Sequence, residues 1–330
     1  MRDANPHKHH SAVRLLTASA AFASALVWFM TEAAAHSGNL RRPVGETTDA
    51  EVPWLQWDFH PSIFFGILTM AVIYTLGVTV WRKKYNWSTA LPKAHMFRFY
   101  SACVAQWWLL DGPLHYLSDE RSFFAHMVQH LSLQMLWAPL LISGIPGWLL
   151  RPLVRKLKAE RFGRWITRPV RAALFFNAML LGWHIPELYD LALRTHPVHI
   201  LQHLLFMSAS VVFWWPILSP LSEVPRAPYG VQAFYIMLNL APMKALGLII
   251  AVHNELIYTF YASQPRVWGL TPVGDQRAGG LTMWVIGGLP LWAALAYVFV
   301  QWKRTGTPAK GMSGVADLDD TRVLGAAQPG

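Results

Sequence analysis

Two groups of histidines recur at helical spacing within apolar stretches of the sequence. His126 and His130 lie four residues apart in FFAHMVQHLSLQMLWAPLLIS, and THPVHILQH places His196, His199 and His203 three and four residues apart. Residues at these intervals share one face of a helix, so neighbouring imidazoles can contact the same ion. Imidazole nitrogen suits copper, zinc, iron and nickel. The sequence therefore predicts a metal site where the two helices face each other, formed by His126, His130, His199 and His203.

Spacing alone leaves other interpretations of this set open. Ionisable groups inside a membrane are costly, which favours a metal site over a purely structural role for the four together. Paired histidines on facing helices also ligate haem b, and di-metal centres use the same residue type. In the remaining interpretation the histidines form hydrogen bonds and bind no metal. His60, His115 and His253, taken singly, are better explained as hydrogen-bonded residues.

Donors softer than imidazole are few in this chain. Met127, Met207 and Met243 offer thioethers close to the histidines, and a thioether ligand shifts metal preference toward Cu(I). Cys103 is the single cysteine, which excludes a disulfide or a CxxC exchange site within the chain.

The elements that carry these residues have the composition of an integral membrane protein. Hydrophobic residues make up 54% of the 330 positions and charged residues only 14%, and a membrane span needs about 20 apolar residues. The predicted fold class is an all-α integral membrane protein, a seven-helix transmembrane bundle preceded by a signal peptide or signal anchor. The predicted spans lie near residues 61–81, 96–115, 123–144, 170–189, 198–218, 233–254 and 280–302.

The start of the chain has the order of a secretory signal peptide, with a charged segment, the apolar LLTASAAFASALVWFM and the small residues of TEAAAHS. Cleavage after Ala35 and retention as a signal anchor are both compatible with this pattern. The histidines of the leader are assigned no metal role. The predicted domains are a leader at 1–35, a periplasmic segment at 36–59, the transmembrane domain at 60–302 and a disordered cytoplasmic tail at 303–330.

Basic residues predict the orientation, because short loops rich in Lys and Arg stay in the cytoplasm. The loop after the third predicted span is the densest, beginning with Arg151, Arg155 and Lys156. The net charge of +10 is therefore a signature of topology and does not favour a nucleic-acid partner. This orientation puts the clustered histidines at the periplasmic side and His95 at the cytoplasmic end. Lys244, near the middle of the sixth predicted span, is expected to pair with Asp111 or Glu187.

Three segments resemble the signature regions of a known family. FFAHMVQH, HIPELYDLALRTHPVHILQHLLFMSASVVFWWPIL and DQRAGGLTMWVIGG are similar to those of the multi-spanning CtaG family of cytochrome c oxidase assembly factors, and the likeness runs across residues 55 to 300. The resemblance implies a seven-helix protein of the bacterial inner (plasma) membrane. It also implies a role in forming active haem-copper oxidase, proposed to be copper supply, with oxidase subunits and the lipid bilayer as partners.

The resemblance further implies a set of metal-site residues. Matched segment by segment, these are His126, His130, His184, His199, His203 and Asp275, with His184 and Asp275 orienting a ligand or gating access. Many family members are expected to carry Glu where this chain has Gln202, which leaves a more neutral, softer site. The expected function is a non-enzymatic assembly factor that binds copper and passes it to an oxidase subunit. The alternatives are a membrane b-type cytochrome or di-metal oxidase, and an oxidase scaffold that binds no metal.

Overall fold

The computed structural model describes Trp57 and residues 59–88 and 90–306, which form helices joined by short connections. A 3₁₀ turn at Thr259–Ser263 follows the tenth helix, and no β-strand occurs among the described residues. The predicted leader at 1–35 and the chain after residue 306 lie outside the described residues. In chain order the helices are α1 (Pro61–Lys84), α2 (Lys93–Asp111), α3 (Pro113–Glu120), α4 (Phe123–Gly144), α5 (Gly147–Lys156), α6 (Glu160–Ile166), α7 (Pro169–Gly182), α8 (Pro186–Arg194), α9 (His196–Leu218), α10 (Tyr229–Val252) and α11 (Pro272–Thr305).

Proline begins several helices because the first turn of a helix does not use the N–H group that proline lacks. Pro61, Pro113 and Pro186 occupy this position in α1, α3 and α8. Three long helices also contain a π-helical turn, a feature that often marks functional sites. These turns are Gly77–Trp81 in α1, Leu133–Trp137 in α4 and Thr282–Ile286 in α11.

Four helices, α1, α9, α10 and α11, are long and apolar enough to cross a bilayer. A fifth span is reached if α4 and α5, which meet at a bend of 87°, are counted as one broken crossing. The expectation of an all-helical, multi-pass membrane protein is therefore confirmed. The predicted count of seven spans is not reached by length and composition.

The two remaining predicted spans are shorter or more polar than expected. The predicted span 170–189 is divided between α7 and α8 by a break at residues 183–185, and α7 has 14 residues, or about 21 Å of helix. The hydrocarbon core is about 30 Å thick. The predicted span 96–115 ends early because Gly112 and Pro113 interrupt it, and α2 begins with Lys93 and includes His95 and Arg98.

Helix α4 occupies the centre of the bundle and packs against α2, α3, α9 and α11. Side chains such as Phe176, Phe213 and Met243 fill the interior, whereas apolar residues such as Phe234 and Ile249 remain exposed, as lipid-facing residues are. Small residues allow close helix contact in membranes. A Cβ atom added to Gly280 of α11 would lie 2.5 Å from the backbone nitrogen of Ala251 in α10, so the two backbones touch.

The partner of Lys244 differs from the prediction. Its Nζ donates a hydrogen bond of 2.7 Å to the backbone carbonyl of Trp284, within the π-helical turn of α11. Asp111 instead accepts hydrogen bonds from His60, and Glu187 is exposed on α8. A π-helical turn disturbs the regular pairing of backbone N–H and C=O groups. The Lys244 ammonium group donates a hydrogen bond to one of the carbonyl groups of this turn.

The histidines gather at one end of the bundle, where α2, α7 and α10 end and where α4 and α9 begin. His95 lies at the other end, where its Nδ1 is 2.9 Å from the carbonyl oxygen of Ser143, near the end of α4. Arg98 donates to the same oxygen. The clustered histidines and His95 therefore lie at opposite ends of the bundle, as expected from the sequence.

Candidate metal centre

The first turn of α4, which carries His126, is held by a neighbouring helix. The Ser122 hydroxyl accepts a hydrogen bond from the Ala125 amide and so caps the helix. Asp275, in the first turn of α11, accepts hydrogen bonds from the Ser122 hydroxyl at 2.6 Å and from the Phe123 amide at 2.7 Å. A carboxylate is favourable at a helix N-terminus because it satisfies free amides and complements the helix dipole. Asp275 therefore fixes the position from which α4 presents its histidines.

The four histidines predicted from spacing lie side by side between α4 and α9. The ring centroids are 4.1 Å apart for His126 and His130, 4.9 Å for His130 and His203, and 4.5 Å for His199 and His203. All four side chains are buried. One ligand nitrogen from each of His126, His130 and His199 lies within 4.8 Å of the others. This compactness is what a single ion bound by several imidazoles requires.

Several ring nitrogens in this cluster are buried without a hydrogen-bond partner. These include Nε2 of His126, Nε2 of His130 and Nδ1 of His203. A buried polar atom that lacks a partner costs about 1–3 kcal/mol. Coordination through Nε2 of His126 and Nε2 of His130 would satisfy two of these atoms, so the donor set fits a metal ion that imidazole binds well.

The pair of histidines on α9 has a geometry suited to the same role. Nε2 of His199 and Nε2 of His203 are 3.0 Å apart, close enough to share one proton. Two nitrogens bound tetrahedrally to one ion at about 2.0–2.1 Å would be about 3.3 Å apart. A small adjustment would therefore replace the shared proton with a metal ion.

Asp119, at the end of α3, orients the ring of His199. Its Oδ2 lies 3.1 Å from Nδ1 of His199 and 3.5 Å from Nε2 of His115, and its Oδ1 accepts a hydrogen bond from Ser118. We assign the proton of His199 to Nδ1 from this contact, which leaves the Nε2 lone pair facing the cluster. Burial raises the pKa of the Asp119 carboxyl, but His115 and His199 lower it more, so the pKa lies well below its ordinary value.

A second group of potential ligand atoms comprises one atom each from His115, Asp119 and His203, within 4.8 Å of one another. His115 is already engaged, because the amide nitrogen of Gln129 lies 2.9 Å from its Nδ1. Donation from this amide places the His115 proton on Nε2, which then points to Asp119. The second group is therefore a hydrogen-bonded support for the cluster.

Further imidazoles extend the network beyond the four. The ring of His60 lies 5.3 Å from that of His115 and 6.3 Å from that of His196, and His115 lies 6.1 Å from His199. The Asp111 carboxylate holds His60 through the backbone amide and Nδ1. Seven histidines thus form one contiguous group at this end of the bundle.

Tyrosines close the side of the cluster near His126. The Tyr261 hydroxyl donates to the carbonyl of Ser118 and lies 3.3 Å from Nδ1 of His126. The Tyr189 hydroxyl is 3.3 Å from that of Tyr261. Both tyrosines are nearly inaccessible to solvent, so they exclude water from this face.

The other two sequence-predicted residues lie outside the group of four. His184 follows the end of α7, where its Nδ1 lies 2.6 Å from the carbonyl of Leu180 and its buried Nε2 has no hydrogen-bond partner. Asp275 contacts the start of α4 and no imidazole of the cluster. The role expected for both residues, orienting a ligand or gating access, stays a prediction.

Two residues that the sequence interpretation did not assign to the site, Asp119 and Tyr261, contact its histidines directly. The interval between His115 and Asp119 is a usable signal, because residues four apart on a helix share a face. No comparable local pattern points to Tyr261, whose contact with His126 joins residues 135 positions apart.

Comparison with known proteins gives one family and a few distant relatives. The sequence profile described as cytochrome c oxidase caa3 assembly factor (Caa3_CtaG) matches residues 72–305. An uncharacterized protein of Mycobacterium bovis is 22% identical over 271 residues, which cover 75% of this chain and 39% of the relative. An uncharacterized protein of Mycobacterium leprae is 24% identical over 275 residues, which cover 75% and 40%. The chain spans about two fifths of the length of these curated relatives. No solved structure matches it significantly.

Proposed function

As the chain belongs to the Caa3_CtaG family of cytochrome c oxidase caa3 assembly factors, we propose that it binds copper at the cluster of His126, His130, His199 and His203. In this proposal the protein is a non-enzymatic factor of the bacterial plasma membrane that passes the ion to an oxidase subunit. The observation that carries the proposal is that His126, His130 and His199 offer ligand nitrogens within 4.8 Å of one another, with His203 Nε2 3.0 Å from His199 Nε2. The Nε2 atoms of His126 and His130 have no hydrogen-bond partner. Intramembrane ionisable groups are costly and are retained where they serve a function.

The chemistry of the donors suits delivery better than permanent storage. Neutral imidazole binds copper, and it loses the ion when it is protonated. Copper would be the cargo delivered to the oxidase, and the residues of this chain would hold the ion and exclude water from it. His199 and His203 would contribute Nε2 atoms, Asp119 would orient His199, and Tyr261 would close the face beside His126.

The proposed topology places the cluster on the periplasmic side. Basic residues are concentrated at the opposite end, in α5, α6 and their connections, and short basic loops remain in the cytoplasm. We propose that seven helical segments cross or enter the bilayer, with α7 and α8 together forming the fourth and α2 the second. The chain after the last span would then be cytoplasmic.

Complementation of a deletion strain tests the proposed function. Oxidase activity and oxidase copper content are measured at limiting copper with wild-type protein, His126→Ala, His203→Ala and the control His95→Ala. Loss with the first two variants and normal activity with His95→Ala is the expected result, with restoration on adding copper. Normal assembly by both cluster variants, at wild-type protein levels, would contradict copper delivery and favour a metal-free scaffold.

A membrane b-type cytochrome remains the main competing function from another class. A porphyrin must fit between its two axial imidazoles, whereas the four imidazoles here are packed ring against ring. A single ion therefore suits the cluster better. A Soret band in the visible spectrum of the purified protein would favour haem.

A further inference from the structure

We infer that the histidine cluster selects a monovalent metal ion, Cu(I), over divalent copper and zinc. This inference rests on the proposed function, because it requires that the cluster binds a metal. The charge of the bound ion is inferred from the charges that surround the four imidazoles.

The ligand atoms at the cluster are neutral. Each imidazole contributes an uncharged nitrogen, and Cys103, the single cysteine, packs in a separate group with Tyr74 and Phe99. Gln202 precedes His203 on α9, and it is buried with its Oε1 atom lacking a hydrogen-bond partner. An amide at this position adds no negative charge to the interior.

Among the described residues, the carboxylate that contacts the four-histidine cluster is that of Asp119, 3.1 Å from Nδ1 of His199. Asp111 is bound to His60, and Asp275 is bound to the first turn of α4. Each of these two carboxylates accepts hydrogen bonds from groups outside the four-histidine cluster. Within the part of the chain that the structure describes, the cluster thus has one adjacent negative charge.

One negative charge balances a monovalent ion and leaves a divalent ion with an uncompensated positive charge. The free energy of moving an ion from water into a low-dielectric interior grows with the square of its charge, so it is about four times larger for a divalent ion. The walls around the cluster are aromatic side chains such as Tyr189 and Phe206, which carry no further anion. A Cu(I) ion therefore meets the smaller penalty.

The test is a set of anaerobic competition titrations on the purified full-length protein in one detergent. Cu(I) is titrated against a chromogenic Cu(I) chelator, and Zn(II) and Cu(II) are titrated separately against divalent chelators. We expect one Cu(I) ion per chain and a Kd for Cu(I) at least about tenfold lower than the Kd for Zn(II) or Cu(II).

Two variants change the charge while keeping the shape of the side chain. Asp119→Asn should lower the Cu(I) affinity by roughly 10–100-fold, as loss of a partner that supports a ligand does. For Zn(II), the logarithm of the fold-loss in affinity of Asp119→Asn should be about twice that for Cu(I), since the Coulomb energy is proportional to the charge of the ion. Gln202→Glu should shift selectivity toward the divalent ions. Asp190→Asn is the matched control, because Asp190 bonds Thr259 outside the cluster.

The outcomes separate this inference from the proposed function. Binding of Zn(II) or Cu(II) as tightly as Cu(I) overturns the monovalent selectivity and leaves a metal site in place. Equal losses for Cu(I) and Zn(II) in Asp119→Asn overturn the role assigned to its charge. Absence of binding in every wild-type titration overturns the copper site and with it the proposed function.

Discussion

Asp275 offers a way to distinguish a residue that positions the site from one that ligates the metal. In Asp275→Ala, the buried Ser122 hydroxyl and Phe123 amide lose their acceptor at 2.6 and 2.7 Å. Each unsatisfied group costs about 1–3 kcal/mol, so the free energy of unfolding should fall by about 2–6 kcal/mol. Water that enters the space left by the carboxylate favours the lower half of this range.

A loss of about 3 kcal/mol corresponds to a decrease in Tm of roughly 6–12 °C for a domain of this size. Thermal unfolding of the purified protein in detergent measures the decrease, and Glu187→Ala, which removes an exposed carboxylate, is the control. The conservative variant Asp275→Asn should still bind one metal ion at temperatures below its Tm. An unchanged Tm for Asp275→Ala would refute the positioning argument. Complete loss of metal from folded Asp275→Asn would instead identify Asp275 as a ligand.

Three further predictions concern packing, the intramembrane lysine and acid. Gly280→Ala should lower the yield of folded protein, because the added Cβ would lie 2.5 Å from the Ala251 nitrogen, and size-exclusion chromatography measures this yield. The control Gly66→Ala should be tolerated, because a Cβ at that position meets nothing within 4 Å. Lys244→Met should retain metal binding and lower the free energy of unfolding by about 1 kcal/mol, the value of one hydrogen bond to Trp284; loss of metal in this variant would contradict a structural role. The affinity for metal should fall as the pH is lowered, because protons compete for imidazole nitrogen, and metal analysis after dialysis at stepped pH measures it; an affinity that does not change with pH would argue against imidazole ligands.

The sequence was most informative where the relevant contacts are local. His126 and His130, like His199 and His203, share a helical face by spacing alone, and the facing of α4 and α9 then brings the pairs together. The concentration of these residues at one end of the bundle followed from the alternation of spans. Assignment of a metal to the cluster stays a prediction.

The parts that the sequence did not predict depend on contacts between distant segments. Asp119 has no assigned role in the sequence analysis, whereas α3 places it against His199 on α9. The partner of Lys244 depends on a π-helical turn in α11, which hydrophobic periodicity does not reveal. The count of seven spans is not confirmed by helix length and composition, in part because a helix break that hydropathy does not detect interrupts the apolar segment 170–189.

X-ray absorption spectroscopy of copper-loaded protein reports directly whether the four imidazoles hold a metal ion. We expect one copper per chain with three or four imidazole nitrogens at about 2.0 Å. His126→Ala and His203→Ala should each lose one imidazole or the whole ion, and His95→Ala should be identical to wild type. Copper surrounded by no imidazole nitrogen, or a spectrum unchanged in both cluster variants, would show that the histidine cluster is not the copper site.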